Sequence, residues 1–179
     1  MTNSPDDSLL RLRAGALVQP FHVVLVEPEI PPNTGNIARL CAATNSVLHL
    51  VGKLGFSIDE HAVRRAGLDY WHLVDVRQHD TLEQAEQATP GLVPPARSWL
   101  FSGKGTTSYL DVAFRPGDRL VFGKESVGLS ESLLQARSAQ VVAIPTLGKV
   151  RSLNLANSVS IAVYEALRQI GALNDTALG

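Results

Sequence analysis

The sequence predicts a single α/β domain built on a mainly parallel sheet flanked by helices. Short apolar runs typical of buried strands alternate along the 179 residues with segments whose apolar residues recur at helical spacing. Glycine and proline residues lie in the loops between them. No repeat or internal linker divides the chain. We therefore expect a flexible leader over residues 1–20, one domain over 21–173 and a tail over 174–179.

The elements follow in order along the chain. The predicted strands span residues 22–26, 47–51, 72–76, 98–102, 120–122 and 141–144. The proline-rich stretch 27–32 is expected to be non-helical, with Asn33 or Thr34 capping a helix that continues to Thr44. Further helices are predicted over 58–68, 81–88 and 130–136, and a last one runs to residue 170 from a cap at Ser152 or Asn154.

Polar residues crowd the segment between the last strand and the last helix. They are Lys149, Arg151, Ser152, Asn154, Asn157 and Ser158. Each one alone is explained by capping or by solvation of a helix start. Loops at the carboxyl ends of strands in open α/β sheets bind ligands, so the cluster as a whole favours a functional site.

Composition excludes several classes of protein. The formal net charge of −1 argues against a broadly basic nucleic-acid binder, although a local basic patch remains possible. The single cysteine, Cys41, forms no intrachain disulfide and is expected in the core. The histidines show no paired metal spacing, so we predict no metal site. No apolar run has membrane-spanning length and no secretory segment is present, which predicts a cytoplasmic protein without a membrane partner.

Three segments together resemble the motifs of the SPOUT RNA methyltransferases. They are Asn33-x-Gly-Asn-x-x-Arg39, Leu120-Val-Phe-Gly-Lys-Glu-x-x-Gly-Leu129, and Ile144-Pro followed by Ser152-Leu-Asn154-x-x-x-Ser158 and Tyr164-Glu165. The resemblance covers residues 22 to about 171. EPEIPPNTGNIARLCA and RRAGLDYW are similar to the short members that methylate the ribose 2′-hydroxyl of the tRNA wobble nucleotide, position 34, a cytidine or modified uridine.

The resemblance implies a fold, a donor and partners. The fold would be a SPOUT-type domain with a deep C-terminal trefoil knot, working as a homodimer on the anticodon region of tRNA. S-adenosylmethionine would be the methyl donor, without a metal. The expected donor-binding residues are Phe101, Ser102, Gly123, Glu125, Ile144, Ser152 and Leu153. Gly123 would let the donor approach the backbone, and Ile144 and Leu153 would offer apolar walls for adenine.

Arg39, Ser152 and Asn154 match the family's catalytic positions. Arginine is a poor base, so we expect Arg39 to hold a phosphate and stabilise developing alkoxide charge, the alternative being a solvated helix residue. Ser152 and Asn154 would orient the ribose or the loop. Glu125 would bond the donor or the loop backbone, or do nothing as a surface carboxylate. The residues expected to contact the RNA are Asn33, Arg39, Arg64, Arg65 and Arg151.

Two alternatives to wobble methylation remain open. One is the same chemistry on another tRNA or ribosomal RNA nucleotide. The other is a catalytically silent RNA-binding protein, against which the presence of Arg39, Ser152 and Asn154 speaks.

Overall fold

The structure is a computed structural model that describes residues 11–15, 17–56, 71–88 and 97–178. Its strands are β1 (Leu12–Ala14), β2 (His22–Val26), β3 (Val47–Val51), β4 (Val76–His79), β5 (Ser98–Phe101), β6 (Thr107–Ser108), β7 (Arg119–Phe122), β8 (Val141–Ala143) and β9 (Thr176–Leu178). Its helices are α1 (Pro31–Thr44), α2 (Leu82–Gln87), α3 (Glu131–Ala136) and α4 (Leu155–Gln169). Short 3-10 turns lie at Trp71–Leu73, Tyr109–Asp111 and Ser138–Gln140.

A seven-stranded sheet forms the centre of the domain, in the order β4-β3-β2-β7-β5-β8-β6. Its strand pairs are parallel, which confirms the predicted sheet. From the adjacent pair β2 and β7, the sheet extends to β3 and β4 on one side and to β5, β8 and β6 on the other. The loops after β2, β5, β7 and β8 therefore meet at one edge, which we call the carboxyl edge.

Helices pack on both faces of the sheet. One core cluster joins strand residues such as Val23 and Leu48 to Ile37 of α1 and Val163 of α4. The other joins Val24, Val121 and Leu100 to Leu82 of α2 and Leu134 of α3. Burial on both faces explains why these strands are continuous apolar runs, the pattern from which they were predicted. Cys41 lies in the first cluster, as predicted, and burial raises the pKa of its thiol to about 12.

Helix α1 starts earlier than the sequence predicts. The predicted cap at Asn33 or Thr34 is wrong, because the helix begins at Pro31 and its N-cap residue, Ile30, makes no side-chain capping bond. The expectation that residues 27–32 are non-helical is wrong for Pro31 and Pro32, which lie in the first turn of the helix. Proline is tolerated in a first helical turn, where an N–H has no intrahelical acceptor in any case.

The predicted strand over residues 72–76 is also wrong. A 3-10 turn occupies Trp71–Leu73, and β4 begins at Val76. Since β4 is an edge strand, its polar residues Arg77 and Gln78 stay partly or largely exposed, and it lacks the apolar run that marks a buried strand. The predicted helix over 58–68, which includes Arg64 and Arg65, lies outside the described residues.

The two ends of the described chain pair with each other. β1 and β9 form an antiparallel ribbon in which Leu12 pairs with Leu178 and Ala14 with Thr176. The ribbon joins part of the expected leader to part of the expected tail, and the boundaries at 20/21 and 173/174 stay predictions, as does the knot. Among the residues described here, none of the helices combines the length and the apolar character that crossing a membrane requires.

Three histidines on neighbouring strands form a hydrogen-bonded chain across the sheet. His22 Nδ1 lies 2.9 Å from His49 Nε2, and His49 Nδ1 lies 2.9 Å from His79 Nε2. Desolvation by burial, followed by the charge of Arg119, lowers the pKa of His22 to about 4. Desolvation and the two neighbouring histidines lower the pKa of His49 to about 3. Within the described ranges, no group of three or more potential ligands is placed to hold a metal ion.

Candidate functional site

The Glu125 carboxylate connects two loops at the carboxyl edge. It accepts hydrogen bonds from the backbone N–H groups of Glu29 at 2.8 Å and Ile30 at 3.3 Å, and from Asn33 Nδ2 at 2.9 Å. Helix α1 makes no side-chain cap of its own, so a residue far along the chain supplies a negative charge and acceptors at its start. Of the expectations for Glu125, the structure therefore shows the bond to loop backbone.

The same two loops contact each other at two further points. Ser126 N–H donates to Glu29 Oε2 at 3.0 Å, and hydrogen bonds from Ser126 lower the pKa of the Glu29 carboxyl. Lys124 forms an ion pair with Glu27, whose carboxylate raises the pKa of Lys124. The loop after β2 and the loop after β7 are thus held together by charged and backbone groups from both sides.

Asn154 extends these contacts to the third loop. Its Oδ1 accepts hydrogen bonds from the N–H groups of Ala156 at 2.9 Å and Asn157 at 3.3 Å, which makes it the cap of α4. Its Nδ2 donates to Asn33 Oδ1 at 3.0 Å. The cap directs the Asn154 oxygen toward the helix, so the Asn154 NH2 group faces Asn33. Asn33 then presents its own oxygen to Asn154 and its NH2 group to Glu125.

We call Glu125, Asn33 and Asn154 the amide network. It joins one residue from each of the three predicted motifs, and Asn33 at its centre is 7% exposed. Each of these side chains accepts or donates within the protein, so the network holds the three loops in place.

Other predicted residues stay exposed near this network. Ser152 and Arg151 are exposed in the loop just before α4. Arg39 is exposed on α1, about 9 Å along the helix axis from Asn33, since six residues rise about 1.5 Å each. Lys149 is also exposed, so the segment before α4 presents two cations to solvent. This charge suits a polyanionic partner.

Two of the predicted donor-binding side chains have structural tasks. The Phe101 ring is 8% exposed and stacks on Phe122 with centroids 4.7 Å apart, so it belongs to the core. Ser102 Oγ accepts a hydrogen bond from Lys104 N–H at 3.2 Å and shapes its own loop. Ile144 and Leu153 are half-buried at the two ends of the segment that leads from β8 to α4.

The structure gives a second reason for glycine at position 123. A Cβ at Gly123 would lie 2.2 Å from both the backbone carbon of Gly128 and the nitrogen of Leu129. The turn over 123–129 closes on itself through the Gly128 N–H to Lys124 carbonyl bond of 2.9 Å. Glycine is therefore required by the protein's own turn, and contact of a ligand with its backbone stays a prediction.

Sequence reasoning missed Glu27, Glu29 and Ser126, which hold the two loops together. The available signal was weak: two carboxylates directly follow the buried strand β2, where a parallel sheet places functional loops. Asn33 was expected to contact substrate, whereas the structure uses both ends of its amide to join Glu125 to Asn154.

Comparison with known proteins identifies relatives over most of the chain. The model of the SpoU rRNA Methylase family matches residues 20–164. A tRNA (cytidine(34)-2′-O)-methyltransferase of Burkholderia pseudomallei is 47% identical over 155 residues, covering 84% of this chain and 96% of that protein.

Solved structures of methyltransferases are also similar to this chain. One, described as giving structural insights into the 2-OH methylation of C/U34 on tRNA, is 47% identical with a TM-score of 0.76, covering 85% of this chain and 97% of that one. The SpoU methyltransferase AviRb of Streptomyces viridochromogenes, in complex with AdoMet, is 25% identical with a TM-score of 0.70. That comparison covers 86% of this chain and 62% of AviRb.

Proposed function

This chain belongs to the SpoU rRNA Methylase family, and on that premise we propose that it methylates the ribose 2′-hydroxyl of the wobble nucleotide of tRNA. The donor is S-adenosylmethionine, and the nucleotide is a cytidine or modified uridine at position 34. The observation that carries the proposal is the amide network, which joins the three motif segments at the edge where α/β sheets bind ligands. Relatives of matching length, with names that specify this reaction, support it.

The residues at the carboxyl edge fit a donor of this kind. Among the described residues, a Cβ added at Gly103, in the loop after β5, would meet only the Arg151 carbonyl oxygen at 3.8 Å, so this loop adjoins the segment before α4. Ile144 and Leu153 offer half-buried apolar surface in that segment. When bound, S-adenosylmethionine supplies a methyl group on a positively charged sulfur, which is already activated toward an oxygen nucleophile.

The task of the protein is then to orient the ribose hydroxyl and to stabilise its charge as the proton leaves. Such orientation contributes about 7–11 kcal/mol in well-aligned systems. Arg39 presents an exposed guanidinium, and arginine is a poor base, so we assign it to a phosphate and to the developing alkoxide. Ser152 contacts the ribose or its phosphate, while Asn154 acts by holding the start of α4 against Asn33.

We further propose that the protein acts as a cytoplasmic homodimer on the anticodon region of tRNA. The outer side of α4 supports the dimer. Ile161 and Tyr164, which are 36% and 49% exposed, lie three residues apart on this helix, opposite its buried residues Val159 and Val163. A second copy packing there would cover apolar surface that the single chain leaves in water.

The decisive experiment combines a donor-binding assay with nucleoside mass spectrometry. Purified protein is titrated with S-adenosylmethionine by calorimetry and then incubated with donor and tRNA from cells that lack the protein. We expect donor binding and the appearance of 2′-O-methylated nucleoside at position 34. Ser152→Ala should lower the methylation rate, whereas Ser132→Ala, an exposed serine on α3, is the matched control and should not.

The possible outcomes distinguish wobble methylation from the two alternative functions. Methylation at another tRNA position or in ribosomal RNA would keep the chemistry and reject the wobble assignment. RNA binding without donor binding would reject the enzyme altogether and favour a silent RNA-binding protein.

A further inference from the structure

Glu27, the residue that directly follows β2, has an unusual backbone conformation. Its φ of 50° lies in the left-handed region, where the Cβ of an L-residue crowds the following carbonyl oxygen. Within the described ranges, Asn45 is the other non-glycine residue with a positive φ, of 53°. Asn45 ends α1, a place and a residue type for which this conformation is ordinary. Glutamate at the end of a strand has no such local reason, so its conformation is imposed by contacts.

Contacts on three sides hold Glu27 in this conformation. Its N–H donates to the Val51 carbonyl oxygen at 2.8 Å, which continues the pairing of β2 with β3. Its Cγ lies so close to Gly52 that a Cβ there would approach it to 2.9 Å. Its carboxylate forms the ion pair with Lys124. The backbone, the stem and the charged end of Glu27 are therefore each engaged by a different neighbour.

The connection from Glu27 to α1 is short and stiff, since it consists of residues 28–30. Pro28 is buried and its ring fixes φ. Ile30 is extended, with a φ of −108°, and precedes Pro31, the first residue of the helix. The Gly55 N–H donates to the Pro28 carbonyl oxygen at 3.0 Å and holds the connection from the side of β3. The direction that the chain takes at Glu27 is therefore passed on to the start of α1.

The Lys124 contact links this conformation to the loop after β7. Lys124 directly precedes Glu125, whose carboxylate binds Asn33 of α1. One turn thus contacts the chain both where it leaves β2 and where it enters α1. The Lys124 and Glu27 side chains are 34% and 39% exposed, so their ion pair adds little to the free energy of unfolding. Its effect is instead to select one arrangement of the two loops.

We propose that Glu27 is a positioning residue for the methyl transfer: its left-handed backbone, held by the ion pair with Lys124, sets where α1 begins and thereby where Arg39 stands. The inference rests on the proposed function, because Arg39 is the residue assigned there to the reacting ribose and its phosphate. Glu27 itself touches neither substrate in this role. It acts through the helix that carries Arg39, so its loss should affect the rate of transfer more than the stability of the fold.

Four variants separate positioning from stability. Glu27→Gly removes the carboxylate while glycine adopts a positive φ without strain. Asn45→Gly relieves a φ of the same sign at the other end of α1 and is the matched control. Lys124→Met removes the partner charge, whereas Lys124→Arg retains a cation for Glu27. The double variant Glu27→Gly/Lys124→Met then tests whether both residues act through one contact.

Each variant of the full chain is measured for its single-turnover rate with S-adenosylmethionine and tRNA, its donor affinity by calorimetry and its melting temperature. The side-chain NH2 resonance of Asn33, identified by its loss in Asn33→Asp, is followed by NMR. This resonance reports the contact with Glu125 at the start of α1, and it does so without any need for activity.

We expect Glu27→Gly and Lys124→Met to slow the transfer at least about tenfold, since a misplacement of about 1 Å can cost about 10²-fold. Donor affinity should hold, the melting temperature should stay within about 3 °C, and the Asn33 resonance should shift. The double variant should be no slower than either single variant. Lys124→Arg and Asn45→Gly should behave like the wild type.

The proposal is overturned if Glu27→Gly transfers the methyl group at the wild-type rate, or if rate and melting temperature fall together, as they would for a merely structural residue. A wild-type protein that methylates no tRNA would instead reject the proposed function. The Asn33 resonance would then decide whether Glu27 places α1: a shift in Glu27→Gly but not in Asn45→Gly would support the placement, and no shift would overturn it.

Discussion

Acid should destabilise the fold through the histidine chain. An unfolded histidine has a pKa of about 6.5, whereas the pKa is about 4 for His22 and about 3 for His49 in the folded protein. The folded state therefore binds fewer protons than the unfolded state once the pH falls below 6.5. The stability provided by the neutral histidines is complete above that pH and is lost progressively as the pH falls toward the folded values.

The expected size follows from these values. At pH 5 the unfolded histidine is almost fully protonated and the folded one is not, which favours unfolding by about 2 kcal/mol per residue. His22 and His49 together then cost about 4 kcal/mol, a large part of the 5–15 kcal/mol typical of a domain. Arg77 opposes protonation of both rings and Arg119 opposes that of His22, whereas Asp75 partly favours protonation of both.

The assay is urea unfolding followed by tryptophan fluorescence between pH 7.5 and 5 at fixed ionic strength. His49→Gln removes the central titrating ring. It should therefore flatten the pH dependence of the free energy of unfolding, even if it lowers that free energy at neutral pH. His72→Gln, at an exposed position, is the matched control and should retain the wild-type slope. A free energy of unfolding that stays constant across this range, or a full slope in His49→Gln, would refute the reasoning.

Three further results are expected. Gly123→Ala should lower the melting temperature as well as donor affinity, because its Cβ would overlap the backbone of Gly128; an unchanged melting temperature would contradict this. Asn154→Asp should keep the α4 cap but lose the donor to Asn33, while Asn154→Ala loses both and about 1 kcal/mol more stability by urea unfolding. Arg39→Lys should slow single-turnover methyl transfer about 10²–10³-fold, with donor affinity unchanged by calorimetry; recovery of the rate at high pH would instead indicate a base.

The strands buried on both faces of the sheet could be predicted from the sequence, because burial imposes a continuous apolar run. His22–Val26 and Val47–Val51 are confirmed to the residue. Edge strand β4 escaped prediction since its exposed side tolerates Arg77 and Gln78. A local capping signal also succeeded: Asn154, one of the two predicted caps of the last helix, accepts from the N–H groups of Ala156 and Asn157.

Features that depend on distant residues could not be predicted. Glu125 accepts hydrogen bonds from Glu29 and Ile30 just before α1, and its position along the chain gives no hint of that contact. The sequence does not show that Gly128 folds back onto Gly123, so the need of the turn itself for glycine at position 123 was missed. The histidine chain likewise joins residues from three strands, and only the register of β2, β3 and β4 brings their rings together.

The dependence of α1 on Glu125 has a consequence for the proposed reaction. Arg39 is carried by α1, whose first turn is fixed by the loop after β7, and Asn33 of the same helix holds the cap of α4. The residues assigned to RNA and those assigned to the donor are therefore positioned by one set of hydrogen bonds. Since alignment of hydroxyl and methyl is the main demand of the transfer, a substitution in the amide network should lower the rate by displacing Arg39 and the start of α4.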